Sequence, residues 1–461
     1  MSSLDRRRFL ASLGLGALGA PALLHAAVHG AQPRATQRPR PTAAQLAWQR
    51  DELALFVHFG VNTFTDREWG DGRESPSIFA PDALDCRQWT RAARAAGAKA
   101  LILTAKHHDG FCLWPTATTA HSVAASPFRG GAGDVVREFT EACRADGLRA
   151  GLYLSPWDRN HPTYGAGAAY DAVYKAQLTE LLTRYGPIHE VWFDGANGEG
   201  PNGKRQQYDW PGTWGLVRRL QPDAVIFSDA GPDVRWIGNE RGVAGETNWS
   251  TVDPGIVVRP GMEGDEVMRS LQEGDREGTV WRPGETDVSI RPGWFWHPAE
   301  DDAVRTPENL EGLWYSSVGR NSKLLLNVPP TTRGLFHETD VRHLQAMRAR
   351  LDAMFAADVT RQARRRFVRH DARRATLELV FAGEVHATAL DLRERIADGQ
   401  RVAAFEIEAR SDGIWRPLRR GTTIGYRRVF TLGAQTFDAV RVRITDAVEA
   451  PLPVALRVFQ V

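Results

Sequence analysis

Short apolar runs alternate with longer amphipathic segments from residue 42 to about residue 355. The apolar runs have the length and composition of strands that are buried on both faces. They lie at residues 53–59, 99–104, 149–155, 188–194, 224–228, 234–237 and 323–328. Amphipathic periodicity predicts helices at residues 87–96, 134–145, 168–185, 307–318 and 337–355. Alternation of this kind specifies parallel strands joined by helices.

Seven predicted strands come close to the eight of a (β/α)8 barrel, the TIM-like fold. A doubly wound open sheet is the competing architecture. In its dinucleotide-binding form, a Gly-x-Gly-x-x-Gly turn follows the first strand, and no such turn follows residues 53–59. We therefore predict an α/β fold in which residues 42–356 form a catalytic (β/α)8-like barrel.

Beyond residue 356 the pattern changes to alternation of apolar and polar positions. Runs of this type lie at residues 375–380, 404–409 and 440–444, and turn signals such as Asp412-Gly413 separate them. Period-two alternation at this spacing favours a β-sandwich. We expect residues 357–461 to form this second domain.

The N-terminus has the pattern of an export signal. Arg6-Arg7-Arg8 precedes an apolar stretch at residues 11–27, which Pro21 interrupts. This arrangement predicts a twin-arginine-type signal peptide at residues 1–31, followed by a linker rich in Pro, Arg and Gln at residues 32–41. The alternative is a membrane anchor, but a spanning helix needs about 20 predominantly apolar residues. We expect a periplasmic or secreted protein with no stable membrane association.

Charge and cysteine content exclude several classes. The 58 basic and 56 acidic side chains give a formal net charge of +2, so there is no broad basic field for nucleic acid. The partner is expected to be neutral or small. Three cysteines without a Cys-x-x-Cys spacing indicate neither a disulfide framework nor a thiolate metal site. The oligomeric state is not encoded in any pattern of this sequence.

Polar residues follow several of the predicted strands at their C-terminal ends. His58, the run Lys106-His107-His108-Asp109, Tyr153 and Asp194 occupy such positions. In a (β/α)8 barrel this end of the strands forms the active-site face. The adjacent His107 and His108 point in different directions, so they do not chelate one metal as an i, i+4 pair does. A hydrogen-bonding clamp on sugar hydroxyls is the better interpretation.

Asp194 is the strongest candidate for a catalytic carboxylate. It stands in the segment Trp192-Phe193-Asp194-Gly195, at the end of an apolar strand. The alternative is a helix cap, but the Gly-rich stretch at residues 195–203 places the next helix too far downstream. Trp192 lies on the same side of the strand as Asp194 and is expected to form a wall of the pocket.

Retaining hydrolysis of a glycosidic bond needs a second carboxyl group about 5 to 5.5 Å from the nucleophile, which acts as acid and then as base. Three downstream residues are candidates, Glu240, Glu246 and Glu285. Spacing alone does not rank them, because loops on this face vary freely in length. Glu240 ends a short strand-like run with Arg235 nearby, and we rank it first.

Several of these segments together resemble the α-L-fucosidases of glycoside hydrolase family 29. The segments are His58-Phe59-Gly60, Glu68-Trp69-Gly70, Lys106-His107-His108-Asp109-Gly110, Gly151-Leu152-Tyr153 and Trp192-Phe193-Asp194-Gly195. The resemblance implies that Asp194 is the nucleophile and that the substrate is a fucosylated oligosaccharide or glycoconjugate. It also implies that no metal or cofactor is used. The positions that match the family's fucose pocket are His58, Glu68, Trp69, His107, His108, Tyr153 and Trp192.

The segments 228–240 and 287–295 resemble the branch of that family that is selective for α-1,3- and α-1,4-linked fucose. In that branch the Glu after Gly-Asn matches Glu240 as acid/base, and Arg235 then becomes an expected pocket residue. The C-terminal domain resembles the discoidin-type β-sandwich that is often appended in the family.

Two functions from other classes remain open at this point. One is a carbohydrate-binding protein whose barrel has lost catalysis. The other is a metal-dependent hydrolase that uses His58, His107, His108 and Asp194, which come from three strand ends. Barrel metal sites usually need well-spaced histidine and carboxylate ligands, so the two-carboxylate mechanism is preferred.

Overall fold

The structure is a computed structural model that describes residues 38–460. The predicted signal peptide, residues 1–31, lies outside the described residues, as do residues 32–37 of the predicted linker. The described part begins with Arg38, four residues before the cap of the first helix.

Eight parallel strands form a barrel in the first part of the described chain. They are β1 (Leu53–Val57), β2 (Ala100–Lys106), β3 (Arg149–Leu154), β4 (Glu190–Trp192), β5 (Val225–Phe227), β6 (Arg235–Trp236), β9 (Gly284–Ser289) and β10 (Ser322–Asn327), while β7 (Thr251–Val252) and β8 (Val280–Trp281) form a separate antiparallel pair. The order around the barrel is β5, β4, β3, β2, β1, β10, β9, β6. A parallel bridge between Phe227 and Val234 nearly closes the ring. The predicted TIM-like barrel is confirmed.

Helices connect most of the strands and surround the barrel. They are α1 (Ala43–Asp51), α2 (Val61–Thr65), α3 (Cys86–Ala96), α4 (Val135–Ala145), α5 (Ala168–Arg184), α6 (Trp210–Leu220), α7 (Asp265–Glu273), α8 (Pro307–Ser317) and α9 (Glu338–Met354). The helices and strands predicted for the barrel are found with bounds that differ by no more than two residues. Within residues 38–460, no helix has both the length and the apolar character that a membrane crossing requires.

Local sequence signals set the helix bounds. The Asp85 side chain accepts a hydrogen bond from the backbone N–H of Arg87 and caps the N-terminus of α3. Gly97 adopts the left-handed conformation at the other end, with φ of 83°. Between them, Trp89 and Ala93 lie on one face of the helix and are fully buried. Asp134 and Asp209 cap α4 and α6 in the same way.

Strand β9 was not predicted from the sequence, and neither were α1, α2, α6 and α7. The sequence of β9 is Gly-Glu-Thr-Asp-Val-Ser, and its three consecutive polar residues Glu285, Thr286 and Asp287 are all buried. A strand with this composition does not have the apolar pattern of its neighbours. The barrel tolerates it because the buried polar groups have partners inside the barrel.

The interior of the barrel contains a buried ion cluster below the pocket. Lys323 Nζ lies 2.7 Å from Glu190 Oε2 and 3.1 Å from Glu285 Oε2, and all three side chains are fully buried. Glu285 Oε1 accepts a hydrogen bond of 3.0 Å from Trp192 Nε1. Burial is the largest cause that raises the pKa of Glu285 to about 8, and the negative charge of Glu190 adds to it. The cluster therefore fixes the Trp192 indole ring through the hydrogen bond to Glu285.

Substitution of Lys323 by methionine should destabilise the protein by about 3–5 kcal/mol, because it leaves two buried carboxyl groups without their cation. Urea unfolding of the variant and the wild type measures this difference. Lys175→Met is the matched control. Lys175 pairs with Asp209 at the surface, where the two side chains are 28% and 49% exposed, and loss of such a pair costs at most about 1 kcal/mol. Equal effects of the two substitutions would contradict the prediction.

The C-terminal part of the chain is an antiparallel β domain. Its strands are β11 (Ala357–Asp358), β12 (Arg364–Arg369), β13 (Ala375–Arg393), β14 (Val402–Ser411), β15 (Ile414–Gly421), β16 (Arg428–Ala447) and β17 (Ala455–Gln460). The order is β11, β17, β13, β16, β14, β15, with β12 on β13. Apolar side chains from alternate positions, such as Leu377, Leu379, Val440 and Val442, form its own core. The β-sandwich predicted for residues 357–461 is thus found as an antiparallel β domain with its own core.

The β domain is joined to the barrel through Glu52, which lies just before β1. The Glu52 carboxylate accepts hydrogen bonds from Arg427 Nη1 at 2.7 Å, Tyr426 Oη at 3.1 Å and Arg393 Nη2 at 3.4 Å. Asn321, just before β10, accepts a hydrogen bond of 2.7 Å from the Tyr426 backbone N–H. Both barrel residues precede strands, so the contact uses the end of the barrel opposite the predicted site.

Candidate active site

A cavity of about 1040 Å³ opens at the C-terminal ends of the barrel strands. Asp194 follows β4, Asp229 follows β5 and Glu240 follows β6, and all three line this cavity. Trp192, from the end of β4, and Asp287, from β9, also line it. The cavity therefore lies on the face where (β/α)8 barrels carry their active sites.

Asp194 is held in place by two hydrogen bonds. Its Oδ2 accepts one of 3.0 Å from Tyr153 Oη, and its Oδ1 accepts one of 2.7 Å from the Ala196 backbone N–H. His108 Nε2 lies 3.9 Å from the same Oδ2. Both carboxylate oxygens are thus oriented before a substrate binds, which is what a nucleophile in a fixed geometry requires.

The hydrogen bonds of His108 fix its tautomer. Ser155 Oγ donates its only proton to the Trp157 carbonyl oxygen at 2.7 Å, so it accepts from His108 Nδ1, also at 2.7 Å. Burial lowers the pKa of His108, and the neutral ring therefore has its proton on Nδ1. The Nε2 lone pair is left to accept a hydrogen bond from a hydroxyl group near Asp194.

His58 has the same arrangement through a different partner. Asn327 donates its amide hydrogens to Ser289 Oγ at 2.9 Å and to the Trp294 carbonyl oxygen at 2.8 Å. Its Oδ1 therefore accepts from His58 Nδ1, at 2.8 Å. Burial lowers the pKa of His58 to about 3. His58 is a second neutral histidine, and among residues 38–460 its Nε2 has no hydrogen-bond partner.

His107 lies between these two histidines. Its ring centroid is 4.1 Å from that of His108 and 5.4 Å from that of His58, and it is nearly parallel to Tyr153. Burial lowers the pKa of His107 well below its usual value. Its Nδ1 is buried and has no hydrogen-bond partner among the described residues. An unpaired buried nitrogen of this kind is available to a hydroxyl group of a ligand.

Glu68 and Trp69 lie on the loop after α2. Glu68 Oε2 accepts hydrogen bonds from the Phe295 backbone N–H at 3.3 Å and from His297 Nε2 at 3.0 Å, so Glu68 holds the segment of Trp294. Trp69 is 57% exposed, and its ring stands edge-on to those of His108 and Trp157. An exposed indole ring beside a polar pocket is typical of a surface that stacks on a sugar.

The structure separates the three candidates for the acid/base. Glu240 lies at the cavity mouth, where Trp294 Nε1 donates to its Oε2 at 3.4 Å. Glu285 is fully buried in the ion cluster below Trp192. Glu246 is paired with Arg320 and Arg428 near the β domain. Glu240 is therefore the only one of the three that shares the cavity with Asp194.

The environment of Glu240 favours its protonated form. Partial desolvation among the surrounding loops is the largest cause, and the negative charges of Asp194 and Glu68 add to it, so the pKa of Glu240 is raised. A raised pKa is what a general acid next to a nucleophilic carboxylate needs. The side chain remains exposed to solvent, which leaves room for a leaving group.

Arg235 does not contact the pocket, and its predicted role is wrong. It alternates with Trp236 on β6, so the two side chains point to opposite faces of the strand. Trp236 faces the cavity, whereas the buried Arg235 guanidinium donates to the Leu271 carbonyl oxygen and to Asn248 Oδ1, both at 2.9 Å. Leu271 belongs to α7, so Arg235 ties the barrel to an outer helix.

Sequence reasoning missed two carboxyl groups and one amide in the site. Asp229 accepts a hydrogen bond of 2.8 Å from the Gly261 backbone N–H, and burial raises its pKa to about 6. Asp287 accepts one of 2.8 Å from Trp236 Nε1, and burial raises its pKa well above its usual value. The amide is that of Asn327. Asp229 follows β5 and Asn327 ends β10, so the expectation that polar residues at the C-terminal ends of strands line the site could have found both. Asp287 lies on the unpredicted strand β9.

No group of three or more His, Cys, Asp and Glu side chains within residues 38–460 has a geometry that could hold a metal ion. The Nδ1 atoms of His58 and His108 are engaged with Asn327 and Ser155.

Known proteins resemble this chain over most of its length. The alpha-L-fucosidase family model matches residues 26–353. Alpha-L-fucosidase 1 of Arabidopsis thaliana is 44% identical over 424 residues, which is 85% of this chain and 81% of the plant protein. The structure of a glycoside hydrolase 29 family member from an unknown rumen bacterium has a TM-score of 0.85 and 40% identity, and the match covers 92% of this chain and 78% of that one. The structure of a Ruminococcus gnavus GH29 fucosidase in complex with fucose has a TM-score of 0.82 and 28% identity, and covers 93% and 97% of the two chains.

Proposed function

Because the chain belongs to the alpha-L-fucosidase family, glycoside hydrolase 29, we propose that it is a retaining exo-α-L-fucosidase that releases terminal α-1,3- or α-1,4-linked L-fucose from glycans. Asp194 is the nucleophile and Glu240 the acid/base in this proposal. Membership of this hydrolase family favours an enzyme over the alternative of a non-catalytic carbohydrate-binding protein.

The observation that carries the proposal is the pair of carboxyl groups in one cavity. Asp194 is oriented by Tyr153 and Ala196, and Glu240 lies at the mouth of the same cavity with a raised pKa. A retaining glycosidase needs one carboxylate that attacks and one carboxylic acid that donates a proton. The different environments of these two residues support that division of roles.

The chemistry proceeds in two steps. Asp194 attacks the anomeric carbon of fucose, the bond to the leaving-group oxygen breaks, and Glu240 gives its proton to that oxygen. A water molecule then attacks the anomeric carbon of the fucosyl-enzyme, Glu240 takes a proton from the water, and the bond to Asp194 breaks. Fucose leaves with the configuration of the substrate, and both carboxyl groups return to their starting states.

The neutral histidines and Trp192 suit the recognition of a deoxy sugar. The free Nε2 atoms of His58 and His108 accept hydrogen bonds from sugar hydroxyl groups, and they carry no charge that would oppose a developing oxocarbenium ion. Trp192 is fixed by Glu285 below and stacks on Phe227 with centroids 4.0 Å apart. Its indole ring supplies an apolar wall for a methyl group.

A panel of fucosylated oligosaccharides with defined linkages tests the substrate and the stereochemistry together. We expect free fucose from α-1,3- and α-1,4-linked substrates, at least about tenfold faster than from α-1,2- or α-1,6-linked ones. Proton NMR at early times should show α-fucose first, because two inversions at the anomeric carbon give retention. Initial release of β-fucose would overturn the retaining mechanism, and equal rates on all linkages would overturn the selectivity.

We also propose that the chain is exported through its N-terminal Arg6-Arg7-Arg8 segment. Replacement of all three residues by lysine in the full-length chain should keep fucosidase activity in the cytoplasm of a host with twin-arginine transport. The wild type should appear in the periplasm or the medium, as cell fractionation measures. Lysine at Arg34 and Arg40, which preserves the signal, is the matched control. Export of the triple variant would refute this route.

A further inference from the structure

A second cavity of about 490 Å³ adjoins the catalytic cavity. The two share the wall formed by Gly195, Asn197, Arg205, Arg259 and Pro260. We call this second cavity the basic extension. It begins at the residue after Asp194, so it lies where the remainder of a glycan bound at Asp194 can reach.

The two cavities differ in charge. The catalytic cavity is lined by the two shared arginines and by five carboxyl groups, those of Asp194, Asp229, Glu240, Asp287 and Glu263. Among the described residues, the basic extension is lined by the same two arginines and by no carboxyl group, and its other polar lining residues are neutral. A neutral sugar fits the first cavity, whereas the second offers a place for negative charge.

Both arginines are free of partners within the described part of the chain. Some surface arginines of this protein pair with carboxylates, as Arg218 does with Asp233 and Arg276 with Asp446. Arg205 and Arg259 are exposed, and among residues 38–460 neither side chain forms an ion pair or a hydrogen bond. A guanidinium group has a fixed fork of donors that matches a carboxylate or a sulfate.

The backbone around both arginines is well held. Gln206, which follows Arg205, is buried and accepts hydrogen bonds of 3.1 Å from the backbone N–H groups of Gly165 and Gly167. On the other side, Gly261 lies two residues after Arg259 and donates its N–H to Asp229 Oδ2 at 2.8 Å. The two arginines thus belong to a wall that is anchored to the catalytic cavity itself.

We propose that the basic extension binds an anionic group, a carboxylate or a sulfate, on the sugar residues to which the fucose is attached. The inference rests on the proposed function, because it takes the fucose to lie at Asp194. It makes acidic fucosylated glycans a preferred substrate class. Arg205 and Arg259 then determine specificity and take no part in bond cleavage.

The test compares a neutral fucosylated trisaccharide with the same trisaccharide carrying either a sialic acid or a sulfate ester on its galactose. Wild type should have a higher kcat/KM on at least one anionic form, and this preference should shrink as the salt concentration rises. Arg205→Gln and Arg259→Gln should each lower kcat/KM on that form about three- to tenfold, with less than about twofold change on the neutral one. The arm that responds identifies the anion.

Arg94→Gln is the matched control, because Arg94 is an exposed arginine in the last turn of α3, at the opposite end of the barrel. It should leave all three rates unchanged. Equal losses on neutral and anionic substrates in the Arg205 and Arg259 variants, or no loss on either anionic form, would overturn the proposal.

Binding separates this proposal from the proposed function. The inactive Asp194→Gly variant should bind the anionic trisaccharide more tightly than the neutral one in calorimetry, and additional Arg205→Gln or Arg259→Gln should remove the difference. If the wild type released no fucose from any substrate, the proposed function would fail, while this comparison would still decide the fate of the basic extension.

Discussion

Replacement of Asp194 by glycine is expected to lower kcat/KM on fucosylated oligosaccharides by about 10³-fold or more, because the residue forms the covalent bond to the substrate. Glycine also leaves a space where the carboxylate stood. Added azide should enter this space, attack the anomeric carbon of an activated aryl α-L-fucoside and restore turnover. The product should be β-fucosyl azide, formed by a single inversion, and NMR identifies it.

Asp229→Gly provides the matched control for azide. Asp229 lies in the same cavity, but its carboxyl group accepts from Gly261 and has no hydrogen bond to Tyr153. Any activity lost in this variant should not return with azide. Full activity of Asp194→Gly, or rescue of the Asp229 variant in its place, would remove Asp194 from the role of nucleophile.

The second large effect is expected from Glu240→Ala. A general acid contributes about 10²–10⁴-fold to the rate, so kcat/KM on natural oligosaccharides should fall by that factor. In a substrate with a good leaving group, such as a 2,4-dinitrophenyl fucoside, the leaving group departs without protonation. Its kcat/KM should fall less than about tenfold. Kinetics on both substrates therefore distinguish a lost acid from a distorted pocket.

The pH profile supplies an independent readout for Glu240. The acid form of Glu240 is needed for the first step, and it is lost as pH rises through the raised pKa of this group. The profile of kcat/KM should therefore have an alkaline limb, which Glu240→Gln should abolish. Glu246→Ala is the matched control, since Glu246 has a side chain that is 64% exposed and pairs with Arg320 outside the cavity. Leaving-group dependence in this variant, or an equal loss on both substrates in Glu240→Ala, would contradict the assignment.

Much of the barrel could be predicted because most of its strands are buried on both faces and therefore apolar. Strand β9 is the exception, since Glu285 and Asp287 face partners that only the folded barrel supplies. Inside this barrel, the Glu285 carboxyl group accepts a hydrogen bond from Trp192, and β9 therefore contains a polar residue where a buried strand is usually apolar. No local sequence pattern predicts this strand, because Glu190 and Lys323, the partners of Glu285, lie far from it in sequence.

The site was predictable where a polar residue follows an apolar strand, as His58 and Asp194 do. The expectation for Arg235 came from the resemblance to one branch of the family, and it failed because β6 is only two residues long. The sequence does not show which of its two faces points inwards. Trp236 takes the inward position, where its indole N–H meets Asp287. Glu240 was ranked first from the sequence, but its separation in space from Glu246 and Glu285 follows from the course of the loops, which depends on contacts between distant segments.

The contact of the β domain with Glu52 lies before β1, at the end of the barrel away from the cavity. The Glu52 contact is therefore separate from the cavity, whereas the loop that carries Arg259 also reaches the β domain, where Glu246 pairs with Arg428 and Arg276 with Asp446. Insertions and substitutions in the loops that follow β1 to β5 can change which oligosaccharide is accepted without loosening the domain contact. In evolutionary terms, the architecture lets substrate range diversify while the framework stays under its own, independent selection.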